Sequence, residues 1–337
     1  MRNLRRAAAY RLLLMPLAAG ALLVSSAAAH AQQTALLDDI VAAVVQIKTY
    51  IAPDGRTVSG LGRERSGSGI VIDDKGLILT IGYLMVEAQS AEVISAGRTL
   101  PAEVVGYDHE TGFGLLRTSE PLKQKPMAFG KSSDLKERDP VLVASYGGID
   151  MMAPAQVVAK REFAGNWEYM LDEAIFTSPP HPAWSGAALV NRDGKLVGVG
   201  SLIVGDAAGG NARSPGNMFV PIDRLAPILS AMIADGRASG PAKPWLGMTT
   251  DEIRGRLFVS SVTPDGPADK AGIKRGDLVV SVNGDAPKSL ADFYRKVWAQ
   301  GAAGTAVPLD VLQGSGMRRI DVKSMNRMDH LKLKSTF

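Results

Sequence analysis

Residues 184–191 read Trp184-Ser185-Gly186-Ala187-Ala188-Leu189-Val190-Asn191, a serine beside a glycine at the entry to a short apolar strand. A serine hydroxyl is a poor nucleophile unless a neighbouring base takes its proton, so the reading of this stretch turns on what surrounds it. Immediately upstream, Pro179, Pro180, His181 and Pro182 stiffen the chain. Farther out, short β-branched runs separated by turn residues dominate residues 40–220. Ile70-Val71-Ile72, the turn Asp73-Asp74-Lys75-Gly76, and Leu77-Ile78-Leu79-Thr80 predict a hairpin. Further strands are expected at 91–95, 102–106, 114–118, 141–145, 156–160, 189–191 and 196–199. Strands this short and this closely spaced argue for barrels or a sandwich, a mostly β fold.

The period then changes. From Ile222 to Ile233, Leu225, Ile228, Leu229, Met232 and Ile233 fall on one helical face, with Asp223 near the start and Gly236 after the end. Residues 234–244 are rich in small residues, glycine and proline and read as a linker. Beyond it, strands are expected at 257–262, 278–282 and 307–312. Ser289 with Asp292 three residues on is a capping signature for a helix whose apolar face is Leu290, Phe293, Tyr294, Val297 and Trp298.

The N-terminus points to export. Arg2, Arg5, Arg6 and Arg11 precede the apolar run Leu12 to Val24, and Ala29-His30-Ala31 offers a small-x-small cleavage site, so residues 1–31 read as a secretory signal cleaved near Ala31. That run is shorter than the roughly 20 residues that span a bilayer and is broken by Pro16 and Gly20. The chain holds 38 basic and 34 acidic residues; four of the basic ones lie in the signal, which leaves 34 of each. The alkaline pI of 9.2 therefore belongs to the export segment, and a nucleic-acid partner loses its support. No cysteine is present, so disulfides and thiolate metal sites are excluded, and no His/Asp/Glu cluster has metal-ligand spacing. No cofactor is implied.

Pro-Ala-Asp-Lys-Ala-Gly-Ile-Lys-Arg-Gly-Asp at 267–277, with Val-Asn-Gly at 282–284, resembles a PDZ domain of the type attached to HtrA and DegP proteases. The resemblance implies that the loop Trp245-Leu246-Gly247-Met248 receives a polypeptide C-terminus on its backbone N–H groups, with the peptide added as a strand beside the helix near 289–300. The preceding 200 residues resemble the trypsin-like double barrel of the same family. Gly67-Ser68-Gly69-Ile70 is similar to its Gly-Ser-Gly entry strand, Asp172-Glu173-Ala174-Ile175 to its Asp-Ala-Ala-Ile, and 185–191 to its Ser-Gly-Gly-Ala-Leu-Val-Asn. The expected division is 1–31 signal, 34–235 double barrel, 236–244 linker, 245–325 PDZ domain and 326–337 tail.

Three departures bear on activity. The family's Thr-Asn-x-His-Val is here Thr80-Ile81-Gly82-Tyr83-Leu84, placing Tyr83 where the histidine belongs. The family's Asp-x-Ala-Leu is here Gly112-Phe113-Gly114-Leu115, leaving Gly112 at the aspartate position. The segment from Ile175 to Ser185 is ten residues against the family's five, with Ala183 and Trp184 in the oxyanion loop. A phenol with a pKa near 10 stays protonated at neutral pH and is no base. The resemblance thus implies an exported pseudoprotease that keeps Ser185 and binds polypeptides through the PDZ domain. The alternatives are an active serine endopeptidase using His109 or His181 as an unconventional base, and an accessory subunit of an envelope complex. A homo-oligomer is compatible with each.

Overall fold

The computed structural model describes residues 32, 34–210 and 213–333, so the predicted signal lies outside the described residues. Twelve strands close two six-stranded antiparallel barrels. The first contains β1 Val44–Ile51, β2 Glu64–Val71, β3 Leu77–Ile81, β4 Ala88–Ser95, β5 Arg98–Tyr107 and β6 Phe113–Thr118, in the order β1-β2-β3-β6-β5-β4. The second contains β7 Pro140–Ala144, β8 Met152–Gly165, β9 Tyr169–Ser178, β10 Ala188–Val190, β11 Leu196–Val204 and β12 Gly216–Pro221, in the order β10-β11-β12-β9-β8-β7. A five-stranded sheet follows, β13 Met248–Ile253, β14 Arg256–Val262, β15 Leu278–Val282, β16 Ala306–Gln313 and β17 Gly316–Lys323, with the helix Leu290–Trp298 packed on it.

The side-chain period of two builds these cores. On β3, Ile78 points into the first barrel with Ile47, Val93 and Leu116, whereas Leu77, Leu79 and Ile81 point into a seam shared with the second barrel. Phe176, Val190, Val199 and Val220 meet them there, and Ile175, Leu189, Val197 and Phe219 fill the second barrel. Strands buried on both faces read as continuous apolar runs, which is why 70–79 carries no polar alternation. The hairpin turn is closed by Asp73, whose Oδ1 accepts from the Lys75 and Leu77 amides at 2.9 and 2.7 Å.

The helix expected from Ile222 to Ile233 is divided. A 3₁₀ turn, Ile222–Arg224, comes first, and the α-helix begins only at Leu229, running to Asp235. Pro227, with no N–H to donate, lies in the turn between the two pieces, and Ile233 is 42% exposed rather than packed. The helix at 290–298 starts as its capping signature requires, with Ser289 Oγ accepting from the Asp292 amide at 3.1 Å. The segment after β17 is anchored: Trp245 and Met325 exchange backbone hydrogen bonds, and a short helix, Arg327–His330, buries His330 against the Trp245 ring. No helix among the described residues is long and apolar enough to cross a membrane.

Candidate functional site

Ser185 lies at the seam between the barrels, and Tyr83 reaches it from the turn Gly82–Leu84 at the end of β3. The Arg65 guanidinium holds that turn by donating to the carbonyls of Tyr83 and Val86 at 2.8 and 3.1 Å. Tyr83 Oη is 2.8 Å from Ser185 Oγ and 2.9 Å from the carbonyl oxygen of Ser201. A carbonyl only accepts, and the phenol has one proton. The arrangement that satisfies all three oxygens has Tyr83 donating to Ser201 and Ser185 donating to Tyr83. Burial pushes the Tyr83 phenol up to about 12, so it takes no proton from serine near neutral pH.

Gly112 lies close by, its carbonyl accepting from the Gly82 amide at 2.6 Å. It brings no carboxylate, and its φ of +82° suits glycine. The two candidate bases are elsewhere or otherwise engaged. His109 is in the seam between the second barrel and the C-terminal unit, with Tyr107 Oη 3.0 Å from Nδ1 and Arg327 Nη1 2.9 Å from Nε2. His181 Nδ1 accepts from the Ala183 amide at 3.1 Å, and burial lowers its pKa. Among the described residues no histidine hydrogen-bonds Ser185.

The proline-rich extension has a clamp that the sequence did not reveal. Asn217, fully buried on β12, accepts from the His181 amide at 2.6 Å and donates to the His181 carbonyl at 3.2 Å, while Ser145 Oγ donates to the Ala183 carbonyl. The Ala183 N–H is thereby committed to an imidazole instead of a developing oxyanion. Trp184 is half-buried beside it. A cavity of about 1100 Å³ opens between the barrels and the C-terminal unit, against His109, Tyr169, Lys243, Trp298 and Arg327; Ser185 does not line it.

The loop Trp245–Met248 is occupied. Glu168, in the tight β8–β9 turn, accepts from the Leu246, Gly247 and Met248 amides at 2.8, 2.7 and 3.1 Å, using both carboxylate oxygens. Gly247, at φ +74°, lets three successive N–H groups converge on one anion. Nothing in the local sequence marks Glu168, whose partners are 78 to 80 residues away.

Residues 67–199 match a trypsin-like peptidase domain, and residues 244–324 match a PDZ domain. The chain is 30% identical over 306 residues to the serine protease PepD of Mycobacterium tuberculosis, covering 84% of this chain and 64% of PepD. This chain is a homologue of the HtrA/DegP proteases. The periplasmic pH-dependent serine endoprotease DegQ of Escherichia coli is 28% identical over 272 residues, 77% of this chain and 59% of DegQ. The chain spans under two thirds of the length of these two relatives. The solved structure of the HtrA-type protease AlgW with a decapeptide shares the fold, with a TM-score of 0.52 over 87% of this chain and 98% of that one at 18% identity.

Burial pushes the Glu168 carboxyl up to about 7, against the pull of the three N–H donors and Arg327. Released to water it returns to about 4.5, so the docked turn binds more protons than the free one. Docking is therefore favoured most below about 4.5 and weakens as the pH rises through 7, by up to about 3 kcal/mol. Of the groups facing it, Tyr294 is raised by burial and titrates above this range, while His109, held well below 6.5 by burial and Arg327, opposes the trend below about 6.5 by less than Glu168 contributes. Amide protection factors in residues 165–169 are expected to be higher at pH 5.5 than at pH 8.5, and the opposite trend contradicts the assignment.

Proposed function

We propose that this chain is an exported, proteolytically inactive HtrA-like protein that holds polypeptides or partner proteins through its PDZ unit, as a scaffold, adaptor or chaperone-like holdase. The observation that carries the reading is the Ser185 hydroxyl facing a half-buried phenol, with glycine at position 112 and, among the described residues, no histidine hydrogen-bonded to it. Losing the base of a Ser-His pair lowers turnover by about 10⁶, far more than any substrate-binding gain restores. The commitment of the Ala183 N–H to His181 removes a second element of the chemistry. Relatives named as periplasmic support an exported location. A related structure named with a decapeptide supports a peptide as the ligand class. The recognition surface is the outer edge of β13 together with the loop Trp245–Met248, which suits an extended chain ending in a free carboxylate. A homo-oligomer or an envelope complex is compatible with this role.

The test is chemical. A fluorophosphonate probe is expected to leave Ser185 unlabelled, and casein digestion by the purified chain is expected to equal that of Ser185→Ala. Labelling that vanishes in Ser185→Ala and also in His109→Ala or His181→Ala would establish an active serine endopeptidase instead.

A further inference from the structure

The groove between β13 and the helix Leu290–Trp298 already holds a peptide-like segment, and that segment is part of this chain. Its carboxylate is Glu168, only 6% exposed, seated on three consecutive backbone N–H groups. Two residues before it, the Asn166 carbonyl accepts from the Thr250 amide at 2.9 Å, a single backbone bond on the outer edge of β13. The Asn166 side chain adds a bond to Asp251 Oδ1 at 2.6 Å. A backbone carbonyl bonded to an edge strand, followed by a carboxylate in a nest of amides, reproduces two of the contacts by which a PDZ loop takes a C-terminus.

The opposite wall of the groove holds the turn as well. Tyr294 Oη, on the helix, donates to the Gly165 carbonyl at 2.7 Å and accepts from the Glu168 amide at 3.1 Å. Arg327 donates to the Trp167 carbonyl at 3.0 Å. Ala164 and Met170, on either side of the turn, pack against the core of the five-stranded sheet. Glu168 adopts φ +59°, a left-handed conformation that a non-glycine residue keeps only when its surroundings fix it. Eight hydrogen bonds across the seam do so here.

We propose that the β8–β9 turn, residues 165–168, is a built-in ligand of the PDZ groove, with Glu168 standing in for a C-terminal carboxylate, and that a polypeptide C-terminus engages only by displacing it. This rests on the peptide-binding reading above and adds its gate. A ligand tethered within the same chain competes at an effective concentration in the millimolar range for a short connection, so an incoming C-terminus meets an apparent affinity well below the groove's intrinsic one.

The experiment uses the full chain after residue 31, as wild type and as Glu168→Ala, with thermal unfolding to verify that both fold. Backbone amide exchange without any peptide is the first readout. Glu168→Ala is expected to speed exchange at Leu246, Gly247 and Met248 at least about tenfold while leaving Val279 and Val307, in the sheet core, unchanged. Unchanged exchange at 246–248 overturns the proposal. The second readout is binding of a fluorescein-labelled pool of random decapeptides with free carboxylates, against the same pool amidated. Glu168→Ala is expected to bind the free-acid pool at least about tenfold more tightly than wild type, with the gain abolished by amidation. Equal affinity of both chains for the free-acid pool overturns displacement. Faster exchange with no free-acid binding by either chain overturns the peptide-binding reading itself, and the turn is then a fixed clamp between the domains.

Discussion

Gly186→Ala is expected to lower stability by about 3–5 kcal/mol, a large part of what a domain has, whereas Ser185→Ala should lower it by at most about 1 kcal/mol. A Cβ at Gly186 would lie 2.0 Å from the Ser68 carbonyl oxygen and 2.7 Å from Thr80 Oγ1, and the φ of +71° adds the left-handed penalty of roughly 1–2 kcal/mol. Neither neighbour is free to retreat. Ser68 donates its amide to the Ser185 carbonyl at 2.8 Å, its hydroxyl accepts from the Tyr146 amide at 3.0 Å, and its carbonyl accepts from Thr80 at 2.8 Å. The first two of these bonds tie the first barrel to the second. By contrast the Ser185 hydroxyl can be deleted while Tyr83 keeps its bond to Ser201. Urea unfolding of both variants at unchanged m-value makes the comparison, and a Gly186→Ala loss no greater than that of Ser185→Ala would show that this loop does not join the barrels.

The same contacts give the protease-like string a structural role of its own. Gly67, Ser68, Thr80 and Gly186 serve the docking of two barrels whether or not Ser185 reacts: a Cβ at Gly67 would lie 2.8 Å from the Ser185 carbonyl oxygen. Motifs whose residues pack against one another locally are legible in sequence, and so are turns closed by their own side chains, such as Asp73 and Ser289. β15 at 278–282 and the hairpin 70–79 follow from such signals. β9 and β12 do not. β9 carries the exposed pair Asp172-Glu173 in mid-strand, and β12 is bounded by Gly216 and Pro221, so its four intervening residues offer little pattern although all are buried. The roles of Glu168 and Asn217 depend on partners brought close only by the tertiary fold. A further latch of that kind is Glu87, whose carboxylate accepts from the Arg56 and Thr57 amides and, at 2.7 Å, from the amide of Lys332 far along the chain.

Tyr83→His combined with Gly112→Asp is expected to leave casein hydrolysis at least about 10²-fold below that of the active relative DegQ. The double variant supplies a base and a carboxylate, groups whose loss in a Ser-His protease lowers turnover by about 10⁶, so restoration of a working triad would be obvious. Geometry opposes it at both ends. A Cβ on residue 112 lies 3.3 Å from Tyr169 Oη and 3.4 Å from Ile81 Cδ1, at a φ of +82° that an aspartate accepts only with strain. At the other end the Ala183 N–H donates to His181 Nδ1, in a loop pinned by Asn217 and Ser145. Absence of one oxyanion donor alone lowers kcat by about 10² to 10³. Two shortfalls in one active unit do not simply add, and the oxyanion donor alone keeps the variant well below a working endopeptidase. The measurement is casein hydrolysis and fluorophosphonate labelling of the double variant beside the DegQ relative. Hydrolysis within tenfold of DegQ would mean that the oxyanion hole stands ready despite His181, and that the missing histidine and aspartate were the whole difference.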